Sequence, residues 1–308
     1  MATARLIKKR IRATASIKQI TKAMQAVATV KMRRSEEAAL RARPYAYAAL
    51  EILKNIISRG GNFEGVPLMS KGETGKTCVV VISSDKGLAG SFNANVFRKA
   101  DEFLNEIKSR ADVVAIGKKC GEYYKRQGKN VVKYFHDMGD TMWVDETEQV
   151  SRFLRENFVN NIYDEVVIIY TNFISALKQE VITRKLLPFE REELEKIIRG
   201  IIPLRGKYSS YAGERKSLLL NEYLYEPDQK SVLSELLPAL LDIEVYQAIL
   251  EANASEHSSR MMAMKNASEN ASDLITNLTI QYNKSRQSQI TKELTEITAG
   301  KEALSFAQ

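Results

Sequence analysis

"IRATASIKQITKAMQAVATVKMRR", residues 11–34, decides how the rest of the chain is read. Ile17, Ile20, Met24 and Val27 recur at spacings of three, four and three, the rhythm of a helix that packs along another helix. The surrounding residues 1–58 hold no glycine and one proline, Pro44, so a single helix is predicted across them, stopped by Gly60 and Gly61. Ordinary globular helices run about 8–20 residues, so one this long needs an equally long partner.

The other end of the chain supplies it. Between Pro238 and Gly300 there is neither glycine nor proline. Met264, Ala267, Ala271, Leu274 and Leu278 run at three, four, three and four, and Ile290, Leu294 and Ile297 continue the stripe. Residues 1–43 carry 12 Lys+Arg and 2 acids, whereas residues 217–308 carry 7 Lys+Arg and 13 acids. Matching rhythm and opposite charge predict an antiparallel coiled coil. A first helix ending at Ser58 and a second capped by Asp228 make paired residue numbers sum to roughly 284–286, with Ile20 opposite Met264 and residues 286–308 left over.

Between the two ends the pattern alternates. "CVVVIS" (78–83), "DVVAIG" (112–117), "VVKYF" (131–135) and "EVVIIYT" (165–171) read as buried strands, with an edge strand within 176–189. "NANVFRKADEFLNEI", "KKCGEYYKRQG" and "ETEQVSRFLRENFV" read as the helices between them. The expected fold class is α/β: a long antiparallel coiled coil of N- and C-terminal helices with an inserted Rossmann-like open α/β domain. The expected divisions are 1–58 for the first helix, 59–216 for the α/β domain and linker, and 217–308 for the second helix.

Candidate chemistry is sparse. "SKGETGKT" (70–77) ends like a phosphate-binding loop, but Ser70 replaces the opening glycine and the stretch precedes a strand instead of following one. A linker is the better reading. "SSDKGLAGSFNANVF" (83–97) does lie between a strand and a helix, yet it has only Gly87 and Gly90 and lacks a ribose-binding acid after the next strand. A tight turn, with Ser91 or Asn93 capping the helix, is expected there. His136 and His257 have no ligand-spaced neighbours, and "HDMGDTMWVDE" (136–146) reads as a solvated acidic turn. Cys78 and Cys120 are too few for a disulfide framework and are expected as buried thiols. No catalytic, cofactor or metal residue is assigned. The Arg- and Lys-rich first residues resemble a transit peptide in composition, but the helical pattern runs past residue 30 without a break. The same cations could grip nucleic acid, although Lys8, Lys9, Arg10 and Arg12 circle the helix and no base-reading pattern accompanies them.

Four motifs carry a resemblance: residues 11–34 above, "SSDKGLAGSFN", "YLYEPD" (223–228) with "VYQAILEANASEHSSRMMAMKNASENA" (245–271), and "YNKSRQSQITKELTEITAG" (282–300). Together they resemble, over essentially the whole chain, the gamma subunit of bacterial-type rotary F-type ATP synthases. Ala89 stands where that family often has cysteine, and the paired cysteines of the plant-type redox insertion are missing from residues 186–230. The resemblance implies a non-catalytic rotor shaft that carries torque between an ion-driven membrane ring and a catalytic hexamer of alpha and beta subunits. It implies hexamer contacts at Met24, Arg260, Arg286, Gln287, Thr291 and Glu293, and contacts with the ring and epsilon at Tyr223, Tyr225, Glu226 and Asp228. It further implies no cofactor, no nucleic acid, and a peripheral position on the cytoplasmic side of the inner membrane. The alternative reading is a non-rotary coiled-coil scaffold or nucleic-acid clamp.

Overall fold

Cys78, Val80 and Ile82 point to one face of a sheet and Val79 and Val81 to the other, and all five are buried. That double burial is why the strand reads as an unbroken apolar run instead of an alternating one. The computed structural model describes residues 4–58, 65–70, 72–107, 110–139, 144–189 and 225–305. Within them the strands are β1 (Lys76–Ile82), β2 (Arg110–Ile116), β3 (Val131–Phe135), β4 (Glu165–Ser175) and β5 (Lys178–Leu187). The helices are α1 (Ala4–Ser58), α2 (Phe92–Glu106), α3 (Lys118–Arg126), α4 (Val144–Val159) and α5 (Gln229–Ser305).

The chain divides into two compact units, Val30–Ser259 and Met1–Thr29 with Arg260–Gln308. In the first, the sheet order is β3-β2-β1-β4-β5, parallel throughout except for the β4–β5 hairpin. This is the open, doubly wound arrangement that strand–helix alternation predicts, and β5 is the expected edge strand. Val96 and Ala100 of α2 and Cys120 and Tyr124 of α3 cover the face of Val79 and Val81. Val150 and Leu154 of α4 cover the opposite face, together with Leu53 and Ile56 of α1 and Leu237, Leu241 and Leu250 of α5. Polar contacts tie α5 to β4 and its hairpin: Tyr170 Oη donates to Glu251 at 3.0 Å, Ser255 Oγ to the Thr171 carbonyl at 3.1 Å, and Ser258 Oγ to the Ala176 carbonyl at 2.6 Å. Gly117 takes φ +94°, and a β-carbon there would lie 2.2 Å from the Ser83 carbonyl oxygen, so only glycine fits between β2 and α3.

The second unit pairs the two helices, but along a different seam from the expected one. Ile7, Thr14, Thr21 and Ala28 are buried at intervals of seven, with Ile11, Lys18 and Gln25 half-buried between them. Ile17, Ile20 and Val27 point outward at 54%, 59% and 56% exposure, and Met24 is half-buried. On α5 the seam runs through Met264, Ser268, Ala271, Ile275, Leu278 and Tyr282, while Leu274 faces out. Lys18 Nζ donates to Ser272 Oγ at 3.0 Å, so paired numbers sum to about 290 and Ile20 does not face Met264. The physical reason lies in continuity. Extending the outward stripe by one heptad in each direction meets Arg10, Lys31 and Arg34, whereas the true seam extends to Ile7, Met32 and Ala39.

Candidate functional site: an exposed helical tip

The two loops that invite a phosphate are both filled by the chain itself. Lys76 opens β1 instead of a helix, and Asp164 occupies the turn before it. Its carboxylate accepts from the Thr74 N–H at 2.8 Å, the Thr74 hydroxyl at 2.7 Å and the Gly75 N–H at 2.5 Å. Partial burial pushes the Asp164 carboxyl up, but these hydrogen bonds outweigh it and hold the group below the usual carboxylate range. The nest of N–H groups that could cradle an anion therefore already holds one. The Lys76 ammonium lies 2.6 Å from Asp112, a nearly buried carboxylate that also accepts from Asn130 at 2.7 Å and Tyr163 at 3.0 Å.

The loop after β1 is closed as well. Asn93 accepts from the Ser84 N–H at 3.0 Å and donates to Ser84 Oγ at 2.7 Å. Asp85 accepts from the Lys118 N–H at 2.9 Å, at the start of α3, and from the Asp137 N–H at 3.0 Å. The expected side-chain cap on α2 is absent: Ser91 is the N-cap residue without a capping hydrogen bond, and Asn93 folds back to Ser84 instead. Asp137 pairs with Lys118 and His136, while Asp140 lies outside the described residues. Cys78 and Cys120 are fully buried, and burial pushes both thiols up. Among the described residues no three His, Cys, Asp or Glu side chains are grouped to hold a metal.

What remains is the tip. Every described side chain from Arg286 to Gly300 is exposed, because α1 ends its pairing where it begins, near residue 4. The expected overhang is therefore present, although the register beneath it differs. Arg286, Ile290, Glu293 and Ile297 fall at intervals of four, three and four along one face, with Gln287, Thr291 and Leu294 beside them. Ile290, Leu294 and Ile297 are 48%, 58% and 68% exposed. Full burial of such a side chain is worth about 1.5–3 kcal/mol, so these three leave roughly 3–5 kcal/mol available to a partner. Thr291 Oγ1 donates to the Gln287 carbonyl at 3.0 Å, Gln289 to Glu293 at 3.1 Å, and the Arg286 guanidinium sits 6.0 Å from the centre of the Tyr282 ring. Met24 and Arg260 lie in the same unit, Arg260 buried at 9% exposure.

The other predicted residues fall at the start of α5. Asp228 accepts from the Ser231 N–H and hydroxyl, both at 2.9 Å, which caps the helix as its sequence position suggests and holds its carboxyl below the usual range. Tyr225 is half-buried against the core and Glu226 is exposed; Tyr223 lies outside the described residues. The outward stripe of Ile17, Ile20 and Val27 was assigned to the seam in sequence. An unbroken seven-residue repeat from Ile7 to Ser35 is the signal that separates the two faces.

A protein-family model described as ATP synthase matches residues 3–304. The ATP synthase gamma chain of Moorella thermoacetica is 38% identical over 304 residues, covering 99% of this chain and 100% of its own length. The gamma chain of Pelotomaculum thermopropionicum is 36% identical with the same coverage. Among solved structures, a chain of the Euglena gracilis mitochondrial ATP synthase OSCP/F1/c-ring assembly superposes with a TM-score of 0.62 at 18% identity, covering 98% of this chain and 94% of that one. A chain of the Tetrahymena thermophila mitochondrial ATP synthase central stalk and c-ring gives 0.57 at 24% identity, over 81% and 99%. At these identities the structures speak for the fold alone. The family match and the full-length relatives carry the identity: the chain belongs to the ATP synthase gamma-chain family.

Proposed function

We propose that the chain is the central rotor shaft of its ATP synthase, carrying torque between an ion-driven membrane ring and a catalytic hexamer of alpha and beta subunits, and that it performs no chemistry itself. The observation that carries the reading is the unpaired helical overhang with its apolar stripe, Ile290, Leu294 and Ile297. A lone helix in water has no reason to expose such a stripe, and a surrounding sleeve buries it. The related Tetrahymena and Euglena chains, from central-stalk, rotor and F1/c-ring assemblies, support the same partners. In this reading Met24, Arg260, Arg286, Gln287, Thr291 and Glu293 meet the hexamer. Tyr223, Tyr225, Glu226 and Asp228 lie toward the ring and the epsilon subunit, on the cytoplasmic side of the inner membrane. An asymmetric shaft acts by favouring a different state at each catalytic site as it turns, which needs contact energy and no reacting group. No described helix is long and apolar enough to cross a membrane.

The test uses an Ile290→Cys variant. Both native thiols are fully buried, so maleimide labelling reports on the new cysteine. Labelling is expected to be fast in the free chain and blocked once the hexamer is bound. Equal labelling in both states refutes the sleeve.

A further inference from the structure

The sheet order β3-β2-β1-β4-β5 reverses direction between β1 and β4, and in open α/β sheets such a reversal opens a crevice at the carboxyl ends of the strands. On the α2 side of this point lies a cleft of about 560 Å³, inside the range of small-molecule pockets at about 300–1,000 Å³. One wall is the face of α2 that carries Ser91, Asn95, Arg98 and Glu102, at intervals of four, three and four. The other is the β4–β5 hairpin, with Thr171 and Glu180. All of these residues belong to the α/β unit, so the cleft is independent of the tip and its sleeve.

Donors without partners converge on it. Val167 and Ile169 face α2 and α3, so by strand alternation Thr171 does too; it is 4% exposed, and its hydroxyl has no hydrogen bond among the described residues. A buried hydroxyl left unpaired marks a place where a partner is missing. The N–H groups of Asn93 and Ala94, in the first turn of the 15-residue α2, lack partners among the described residues as well, because Ser91 supplies no cap and Asn93 turns its side chain to Ser84. Arg98 forms no ion pair among the described residues, and its guanidinium reaches only the Asn95 side-chain oxygen, at 3.4 Å. Two acids also line the cleft. Glu102 is taken up by Lys99 at 3.9 Å, and Glu180 stands on the hairpin wall, across from the helix. The α2 wall, with Arg98 and the positive end of the helix dipole, favours a small anion.

We propose that this cleft binds free phosphate, or a tetrahedral oxyanion of that class, with the first turn of α2, the Thr171 hydroxyl and Arg98 as its donors. A tetrahedral oxyanion offers several acceptor oxygens at once, so one ion serves donors that come from different elements. A nucleotide fits less well. The loop ahead of α2, where a diphosphate would lie, is tied down by Asn93 on Ser84 and by Asp85 on the Lys118 N–H, and it lacks the third glycine of a dinucleotide fingerprint. Only the flank of the first turn that faces β4 and β5 stays open.

The test titrates inorganic phosphate into the full chain by isothermal calorimetry. One saturable site is expected, filled by about 10 mM phosphate. Thr171→Val keeps the shape and removes the hydroxyl; it and Arg98→Gln should each weaken binding by about tenfold or more, the worth of one hydrogen bond to a charged group. Glu180→Gln removes a like charge and should tighten binding by about two- to threefold. Thermal unfolding controls for the fold: Thr171→Val gives up no hydrogen bond and should melt with the wild type. No saturation by about 10 mM overturns the site. So does saturable binding that either Thr171→Val or Arg98→Gln leaves unchanged, since the ion then lies elsewhere. Weaker binding in Glu180→Gln reverses the sign of the cleft and overturns it too. ATP that displaces phosphate with equal or greater affinity overturns the proposal in favour of a nucleotide site.

Discussion

Replacing Lys76 by alanine removes the ammonium that lies 2.6 Å from Asp112. The carboxylate side chain is only 6% exposed and the lysine side chain 33%. Breaking a fully buried pair costs about 3–5 kcal/mol, because the surviving charge stays desolvated. Here water reaches one partner, and Asp112 keeps its hydrogen bonds from Asn130 and Tyr163. The loss is therefore about 2 kcal/mol, which lowers the unfolding midpoint by about 4–8 °C. Hydrogen exchange of the β1 and β2 amides reads this locally, without requiring that both units unfold together. pH supplies a second signature. Burial pushes the Asp112 carboxyl up, yet the hydrogen bonds from Lys76, Asn130 and Tyr163 win and hold it below its usual range. A folded value below the unfolded one means that this stabilisation is complete above about pH 4 and is lost as pH falls through the folded value. The difference between the wild type and Lys76→Ala should accordingly shrink below about pH 4. Equilibrium dialysis should find no ATP bound by either free chain. A variant of unchanged stability, or magnesium-dependent ATP binding lost with Lys76, would refute the reasoning.

Ile20→Ala removes a side chain that is 59% exposed, so it should change folding stability by less than about 0.5 kcal/mol. Ala28→Leu, at a position 1% exposed, should cost about 1–3 kcal/mol by overpacking; thermal unfolding of the two variants reverses in order if the seam runs through Ile20. Gly117→Ala brings a β-carbon to 2.2 Å from the Ser83 carbonyl oxygen and should largely abolish soluble, folded protein, measured by circular dichroism of the purified chain.

The α/β unit was almost fully legible. Buried parallel strands are long enough apolar runs, and the intervening helices periodic enough, that β1 to β5 and α2 to α4 differ from their expected bounds by only a few residues. Helix ends marked by chemistry, such as Asp228, were equally readable. The seam was not. Hydrophobicity does not report which face of a helix meets its partner helix, and Ile17, Ile20 and Val27 look identical to a seam although they point outward. Asp164 was missed for a related reason: its role depends on a turn 90 residues away in sequence. The overhang was legible because it follows from the unequal lengths of the two helical ends.

The smallness of the buried seam has a mechanical side. Helix axes approach to about 8–10 Å according to the residues between them, and Thr14, Thr21, Ala28 and Ala271 put small side chains into this seam. Each seam side chain thus sets the thickness of an axle. A larger residue there would cost stability by overpacking, as Ala28→Leu is expected to, and would also press the two helices apart. For a part that must turn inside a closed ring, selection then acts on clearance, and friction becomes a trait encoded by residues that never touch the ring.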